Sequence, residues 1–377
     1  MTPTEQVRVA RAYLSRVAEP PAAPVVAFVA EVGPVEAAAR IRRGEVPEAV
    51  AKRTAARRTV DRAAADLAAA AGCGARLVVP EDEEWPHWTF LPLDRCPDEE
   101  LAAPLALWAR GPGRLDELTG SAVAIVGSRN ATGYGSHVSG ELAAGAADRG
   151  FTVVSGAALG IDGAAHRGAL AVDGPTIAVL ACGIDRAYPA AHDTLLGRIA
   201  ATALVVSEYP PGSVPARHRF LVRNRLIAGL AAGTVVVEAG LRSGAARTAG
   251  DTAALGRPVM AVPGRVTDGA AAGCHQLIRR GAVLVTRTEE VLEVVGRIGL
   301  DLASPEEAPP AGPVDGLDRG AALVHDALPS RGARDTRWIA MEAALTTEEV
   351  RRALVDLERR GLAELCDEGW RRVVSRA

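Results

Sequence analysis

Lysine is almost missing from this 377-residue chain: Lys52 stands alone, and every other basic residue is an arginine. With the abundant alanine, that skew points to a GC-rich genome and not to a function. Neither sign of charge is in excess. Lys and Arg number 43 against 46 Asp and Glu, a formal charge of −3, which excludes a globally basic nucleic-acid binder and makes any anion site local. Aromatic residues are scarce, at 3%, whereas hydrophobic residues reach 48% and suffice for a large core. The five cysteines (Cys73, Cys96, Cys182, Cys274, Cys366) form no C-x-x-C pair. They suggest neither a zinc site nor a disulfide framework. The N-terminus lacks a signal-peptide layout, and no apolar run reaches membrane-spanning length, so a soluble, cytoplasmic protein without a membrane span is expected. The length allows two or three domains.

What is present is organised around Val123–Gly135, VAIVGSRNATGYG. Ala122–Val126 reads as a buried parallel strand, and the chain then stops at Gly127-Ser128-Arg129. A helical pattern follows from about Ser136 to Arg149. Strand, glycine loop and helix open a doubly wound α/β domain. A helix N-terminus beside loop amides favours an anion, and Arg129 adds a fork of donors suited to phosphate. An ordinary βα turn with a surface arginine fits this stretch equally well.

Before that stretch, residues 7–74 are alanine-rich and helical in pattern. Their cluster of basic residues (Arg40, Arg42, Arg43, Lys52, Arg53, Arg57, Arg58, Arg62) reads as a solvated helix face or as a small module touching nucleic-acid backbone. Residues 75–121 read as a connector, with Trp85, Trp88 and Trp108 packing it onto the next domain. Further strands are predicted near Thr152–Ser155, Thr176–Leu180, Leu204–Ser207, Thr234–Glu238, Pro258–Val262 and Ala282–Val285. Strands alternating with helices imply a mostly parallel, Rossmann-like sheet with helices on both faces, over residues 122–302. Ligands of such sheets bind beyond the C-terminal strand ends, so the loops there should gather on one rim. A proline-rich linker, 303–315, leads to residues 316–377. Helices near Arg319–Ala327, Arg334–Ala340 and Thr347–Arg360 and a hairpin, Leu362–Leu365 with Trp370–Val374, suggest a winged-helix plan. Thr346 and Glu349 have capping spacing for the third helix, whose mixed charges argue against strong duplex binding.

The rim carries the functional signal. Arg217–Arg225 holds four arginines, one histidine and one phenylalanine, with no acid. A basic groove with one stacking ring is the minimum equipment for single-stranded nucleic acid. The competing reading puts Phe220 in the core and leaves the arginines solvated. Asp162 and His166 share a helix face and could form an acid–base pair, or Asp162 caps the helix while His166 bonds a neighbouring loop. No Ser or Cys nucleophile pattern accompanies them, which favours the structural role. Glu238 at a strand end is catalytic or orders a loop as an acceptor.

Eight ordered motifs between residue 123 and about 285 carry a resemblance: VAIVGSRNATGYG, SGAALGIDGAAH, IAVLACGIDRAYP, SEYPPG, FLVRNRLIAGL, VVVEAGLRSGAARTA, GRPVMAVPG and GCHQLIRRGA. They resemble the DprA/Smf family of DNA-processing proteins of bacterial transformation. The resemblance implies a Rossmann-like domain that binds single-stranded DNA, dimerises and loads RecA recombinase. It also implies outer domains: an N-terminal helical (SAM or helix-hairpin-helix-like) domain over 1–74 and the winged-helix-like tail. By position, Gly127, Ser128 and Arg129 match its phosphate-binding loop, and Arg217 its basic contact. Phe220 matches its aromatic, Arg223, Asn224 and Arg225 its RNR signature, and Ser243 and Gly244 its small-residue loop. Gly156, in the SGAALG motif, joins these as a DNA-binding candidate, and Leu277 and Ile278 are expected at a homodimer interface at the sheet edge. The proline expected after Phe220 is replaced by Leu221, and His192 and His275 stand where asparagine is common. No catalytic residue, cofactor or metal is implied.

Rival classes meet specific obstacles. A dinucleotide oxidoreductase needs G-x-G-x-x-G after the first strand and an acid ending the second; here Gly127 is followed by Gly133 and Gly135, and the second strand ends at Ser155-Gly156. A P-loop NTPase needs a Lys-Ser/Thr that is absent. The remaining alternative is a nucleoside-monophosphate phosphoribohydrolase on the same Rossmann variant. Its P-G-G-x-G-T-x-x-E run is replaced here by Glu238-Ala-Gly-Leu-Arg-Ser-Gly244.

Overall fold

The computed structural model describes residues 2–241, 243–296, 314 and 316–373. The chain divides into two compact units, Met1–Ala303 and Ser304–Ala377. The expected linker, 303–315, lies outside the described residues except for Val314, as does Val374.

The first unit opens with five helices: α1 (Pro3–Val17), α2 (Ala23–Val32), α3 (Pro34–Arg43), α4 (Glu48–Thr54) and α5 (Ala63–Gly72). Strand β1 (Ala75–Val78), helix α6 (His87–Arg95), strand β2 (Leu107–Arg110) and helix α7 (Leu115–Leu118) follow. The segment read as a connector therefore supplies two strands, which pair antiparallel with each other and extend the main sheet at its β6 edge. Their runs are too short to announce themselves beside the loops that flank them. Trp85 and Trp108 are buried as expected, but Trp88 is 85% exposed.

The alternating segment contains β3 (Ala122–Val126), α8 (Gly133–Asp148), β4 (Thr152–Ser155), α9 (Ile161–Ala171), β5 (Thr176–Leu180), α10 (Asp193–Thr202), β6 (Leu204–Ser207) and α11 (Arg217–Gly229). It continues with β7 (Thr234–Val236), α12 (Gly244–Ala254), β8 (Val259–Ala261), α13 (Ala272–Arg279), β9 (Val283–Leu284) and α14 (Thr288–Val295). The nine-stranded sheet runs β1-β2-β6-β5-β4-β3-β7-β8-β9, parallel from β6 to β9. Side chains of β3 alternate between its two faces. Val123 and Ile125 join the core beneath α8, α9 and α14, whereas Ala122, Ala124 and Val126 join the core beneath α6, α11 and α12. Burial on both faces explains the unbroken apolar run. Each large aliphatic side chain so buried contributes about 1.5–3 kcal/mol. The N-terminal helices share a third core with Ala178, Leu180 and Val205 of the sheet.

The second unit holds α15 (Arg319–Ala327), α16 (Thr336–Glu342), α17 (Thr347–Arg359) and a hairpin of β10 (Ala363–Cys366) and β11 (Gly369–Arg372) around its own core. At α17 the Thr346 hydroxyl accepts from Glu349 N, while the Glu349 carboxylate accepts from Thr346 N, a reciprocal cap. No helix among the described residues is long and apolar enough to cross a membrane.

Candidate functional site

β3 and β7 lie side by side and parallel, yet the chain leaves them in opposite directions, from β3 to β4 and from β7 to β8. The loops after them must diverge, and open α/β sheets place their ligand crevice at such a switch point. A cavity of about 280 Å³ opens there. Gly127, Ser128 and Arg129 form one wall, and Ser243, Gly244, Ala245 and Thr248 at the start of α12 another. Phe220, Leu221, Arg223, Asn224 and Ile227 of α11 form the third, with Ala158 and Asp162 alongside.

Local chemistry fixes the walls. A Cβ on Gly127 would approach Ile161 Cγ1 to 2.6 Å and the Glu238 carbonyl to 2.9 Å, so only glycine lets the chain turn this tightly. Ser128 N donates to the Glu238 carbonyl at 2.7 Å. The Glu238 carboxylate accepts from Thr132 N (3.0 Å) and Thr132 Oγ1 (2.5 Å), tying the β3 loop to the end of β7. Glu238 thus orders a loop. The Thr132 hydroxyl in turn caps α8 through Gly135 N, and the Ser243 hydroxyl caps α12 through Ala246 N. Asn224 Nδ2 donates to the Gly244 carbonyl at 3.3 Å, joining α11 to that cap.

Phe220 is half-buried and belongs to none of the cores. The Arg129 guanidinium stands 5.1 Å from its ring centroid, and the Tyr188 ring lies against it at 5.4 Å. Arg223 is 4% exposed; its Nη1 donates to the carbonyls of Gly156 (2.6 Å) and Val179 (2.5 Å). Burial pulls its pKa down to about 10 against the opposing influence of Asp162. Its Nε has no partner among the described residues, although the residue lines the cavity. Asp162 accepts from Gly156 N (3.1 Å) and Ala158 N (3.4 Å), and burial pushes its pKa up.

Of the residues expected at the site, Gly127, Ser128, Arg129, Phe220, Arg223, Asn224, Ser243 and Gly244 are brought together on this cavity. Gly156 stands behind Arg223, and a Cβ there would collide with the guanidinium. Arg217 is exposed at the first position of α11, three and four residues before Phe220 and Leu221, hence on their side of the helix. Arg225 is not on the cavity: it is 1% exposed and its Nη2 donates to both oxygens of the buried Glu208 carboxylate, at 2.7 and 2.6 Å. One residue beyond Asn224, it faces the end of β6 instead. Asp162 and His166 do not act as a pair. The Thr176 hydroxyl donates to the Val153 carbonyl and so accepts from His166 Nδ1, while burial lowers the His166 pKa to about 3 and keeps the ring neutral. Leu277 and Ile278 are partly buried against the core of their own chain, next to edge strand β9. Tyr188 and Leu221 went unassigned in the sequence. Tyr188 sits in a strand-end loop, and that position is the signal for it. No group of three or more metal-ligating side chains is clustered among the described residues.

With this geometry established, comparison with known proteins decides the family. The family model of DNA recombination-mediator protein A matches residues 76–296. The chain belongs to this family. It is 53% identical over 363 residues to the DNA processing protein DprA assigned in Mycobacterium tuberculosis (strain ATCC 25618 / H37Rv), covering 96% of this chain and 93% of the relative. It is 43% identical over 216 residues to DNA processing protein DprA of Streptococcus pneumoniae (strain ATCC BAA-255 / R6), covering 56% and 75% respectively. Among solved structures it is similar to DNA processing protein A from S. pneumoniae, with a TM-score of 0.64 and 30% identity over 78% of this chain and 98% of that one. It is also similar to DNA processing protein A from Helicobacter pylori, with a TM-score of 0.50 and 27% identity over 58% and 94%. That structure is described for its unique single-stranded DNA binding mode. The segment matched to the family contains every residue on the cavity.

Proposed function

We propose that this protein binds single-stranded DNA in the cavity between β3 and β7, holds and protects it, and helps deliver it to RecA recombinase during DNA processing or natural transformation. The observation that carries this reading is the half-exposed Phe220 ring beside Arg129, over a buried Arg223 with an unpartnered nitrogen. A ring stacks on any base, and an arginine neutralises phosphate, so the site recognises a strand without reading its sequence. A duplex hides its bases' faces and finds no groove-reading helix here. The description of the H. pylori relative supports the same reading. Delivery to a recombinase rests on the family's description as a recombination mediator. A homodimer through α13 and β9 is part of the proposal, supported by the exposed Val283 and Leu284 on β9, the edge strand of the sheet among the described residues. The second unit is taken as a winged-helix-like module.

Fluorescence anisotropy with an oligodeoxythymidine and a duplex of equal length tests the central claim. Tighter binding of the single strand, weakening as salt rises, is expected. Equal affinity for both, or salt-independent binding, overturns it. Light scattering at micromolar concentration tests the dimer. Filament assembly by RecA on the bound strand, with and without this protein, tests delivery.

A further inference from the structure

A second and larger cavity, about 680 Å³, opens farther along the same rim. Its walls are Thr132 and Tyr134 at the start of α8, Glu238 after β7, and Gly264, Arg265 and Asp268 after β8. Thr132 is three residues from Arg129, so the loops of the two cavities are at most about 11 Å apart along the chain. The geometry points to a second nucleotide subsite here: a base of the strand held in the first cavity stacks on Tyr134, with its phosphate on Arg265. The inference rests on the single-stranded DNA reading above.

The two cavities share one composition, a ring and an arginine. Tyr134 is 52% exposed, yet its hydroxyl donates to the Pro263 carbonyl at 2.9 Å, which fixes the ring while leaving it open to a ligand. A ring already held in place loses little conformational entropy when a base settles on it. Arg265 is exposed, and its side chain makes no hydrogen bond or ion pair among the described residues. The acids on the wall decide which part of the nucleotide lies inside. Both Glu238 oxygens are occupied by Thr132, and Asp268 Oδ1 accepts from Ala270 N at 2.9 Å. Two carboxylates repel a phosphate from the interior but tolerate a neutral base, whose N–H groups, the ring N–H of thymine included, donate to such oxygens. The phosphate therefore belongs at the rim, where Arg265 is.

The test is a length series of oligodeoxythymidines, from about 4 to 16 nucleotides, the range of single-strand site sizes. Full-length protein and the variants Tyr134→Ala, Tyr134→Phe, Arg265→Ala and Phe220→Ala are compared by anisotropy, with melting temperature as the folding control. In the native chain, affinity should step up once the strand reaches both cavities. Tyr134→Ala should remove that step, weakening long strands roughly 5- to 150-fold, the worth of one base stack, while the shortest strands bind as before. Tyr134→Phe should keep the step. Arg265→Ala, a surface change that leaves folding intact, should reduce the salt slope for long strands by about 0.7. If Tyr134→Ala and Arg265→Ala bind every length as the native chain does while Phe220→Ala weakens all of them, the second subsite is wrong and the first stands. Equal loss at every length in Tyr134→Ala also overturns it, because the ring then acts through the first cavity. If Phe220→Ala changes nothing, both readings fall.

Discussion

The two halves of α11 carry the same kind of residue to opposite ends. Arg217 and Arg219 open the helix, and Arg223 and Arg225 follow within two turns. Arg217 is exposed and unpaired among the described residues, and Arg219 is held by Glu19 at 2.8 Å. Arg223 Nη1 donates to backbone carbonyls, and Arg225 pairs with Glu208. Two of the four guanidinium charges in these nine residues are thus offset by carboxylates. A guanidinium paired with a carboxylate, as in Arg219 and Arg225, has its charge offset and holds the helix in place, whereas Arg223, bonded to neutral carbonyls, keeps its charge and an unpartnered Nε at the cavity. On the single-stranded DNA reading proposed above, the N-terminal half of α11 offers the exposed Arg217 and the Phe220 ring, and the C-terminal half anchors the helix through Arg225 and Glu208.

The hardest break in this comparison is Arg225→Ala. It leaves the Glu208 carboxylate buried with no counter-charge, which costs about 3–5 kcal/mol. Thermal unfolding should show a large fall in melting temperature, and the folded fraction should still bind single-stranded DNA with native affinity. The double change Arg225→Met with Glu208→Leu should recover most of the loss, because two apolar groups have no desolvation penalty to offset. A DNA-binding defect at native stability would reverse the assignment and make Arg225 a contact residue.

That pairing marks where sequence reading ran out. The strands β3 to β6 and helix α15 were legible to the residue, because burial on both sheet faces leaves uninterrupted apolar runs between glycine-rich breaks. Placement on the cavity was legible wherever it depends on a residue's own loop, as at Gly127–Arg129 and Ser243–Gly244. It was not legible where the role depends on a partner far away in sequence. Glu208 lies 17 residues from Arg225, and Glu19 lies 200 from Arg219, so charge patterning along α11 could not show either neutralisation. The strands β1 and β2 were missed for a related reason, since four-residue strands are defined by the neighbours they pair with.

A smaller effect separates ring from charge at the cavity. Phe220→Ala should weaken single-strand binding by about 1–3 kcal/mol, with the salt slope nearly unchanged, since it removes stacking and no charge. The ring stands outside the cores, so melting temperature should shift little. Arg129→Ala should do the reverse, flattening the slope by about 0.7 per lost phosphate contact. Affinity measured at several salt concentrations distinguishes them. A slope that falls equally in both variants would show that the ring positions Arg129 and does not itself stack.

The finest division concerns Arg219, whose charge is masked from outside the helix. Glu19, in the turn between α1 and α2, accepts from Arg219, Arg57 (2.6 Å) and His218 (3.3 Å). Burial alone would raise its pKa, but the bonds from Arg219, Arg57 and His218 outweigh burial and hold it below the ordinary 4.5. The unfolded chain therefore takes up this proton at a higher pH than the folded one. The stabilisation is fully present above about pH 4.5 and disappears as pH falls through the lower, folded value. Glu19→Gln should be less stable than the native chain by up to about 1 kcal/mol at neutral pH, with the gap closing below pH 4.5. The same change frees Arg219 in the N-terminal half of α11, so single-strand binding should grow tighter and steeper in salt. A stability gap that persists unchanged into acid would show that Glu19 acts by shape and not by charge. A salt slope equal to that of the native chain would show that Arg219 lies outside the strand's path even when unmasked, leaving the contacts to Arg129, Arg217, Phe220 and Arg223.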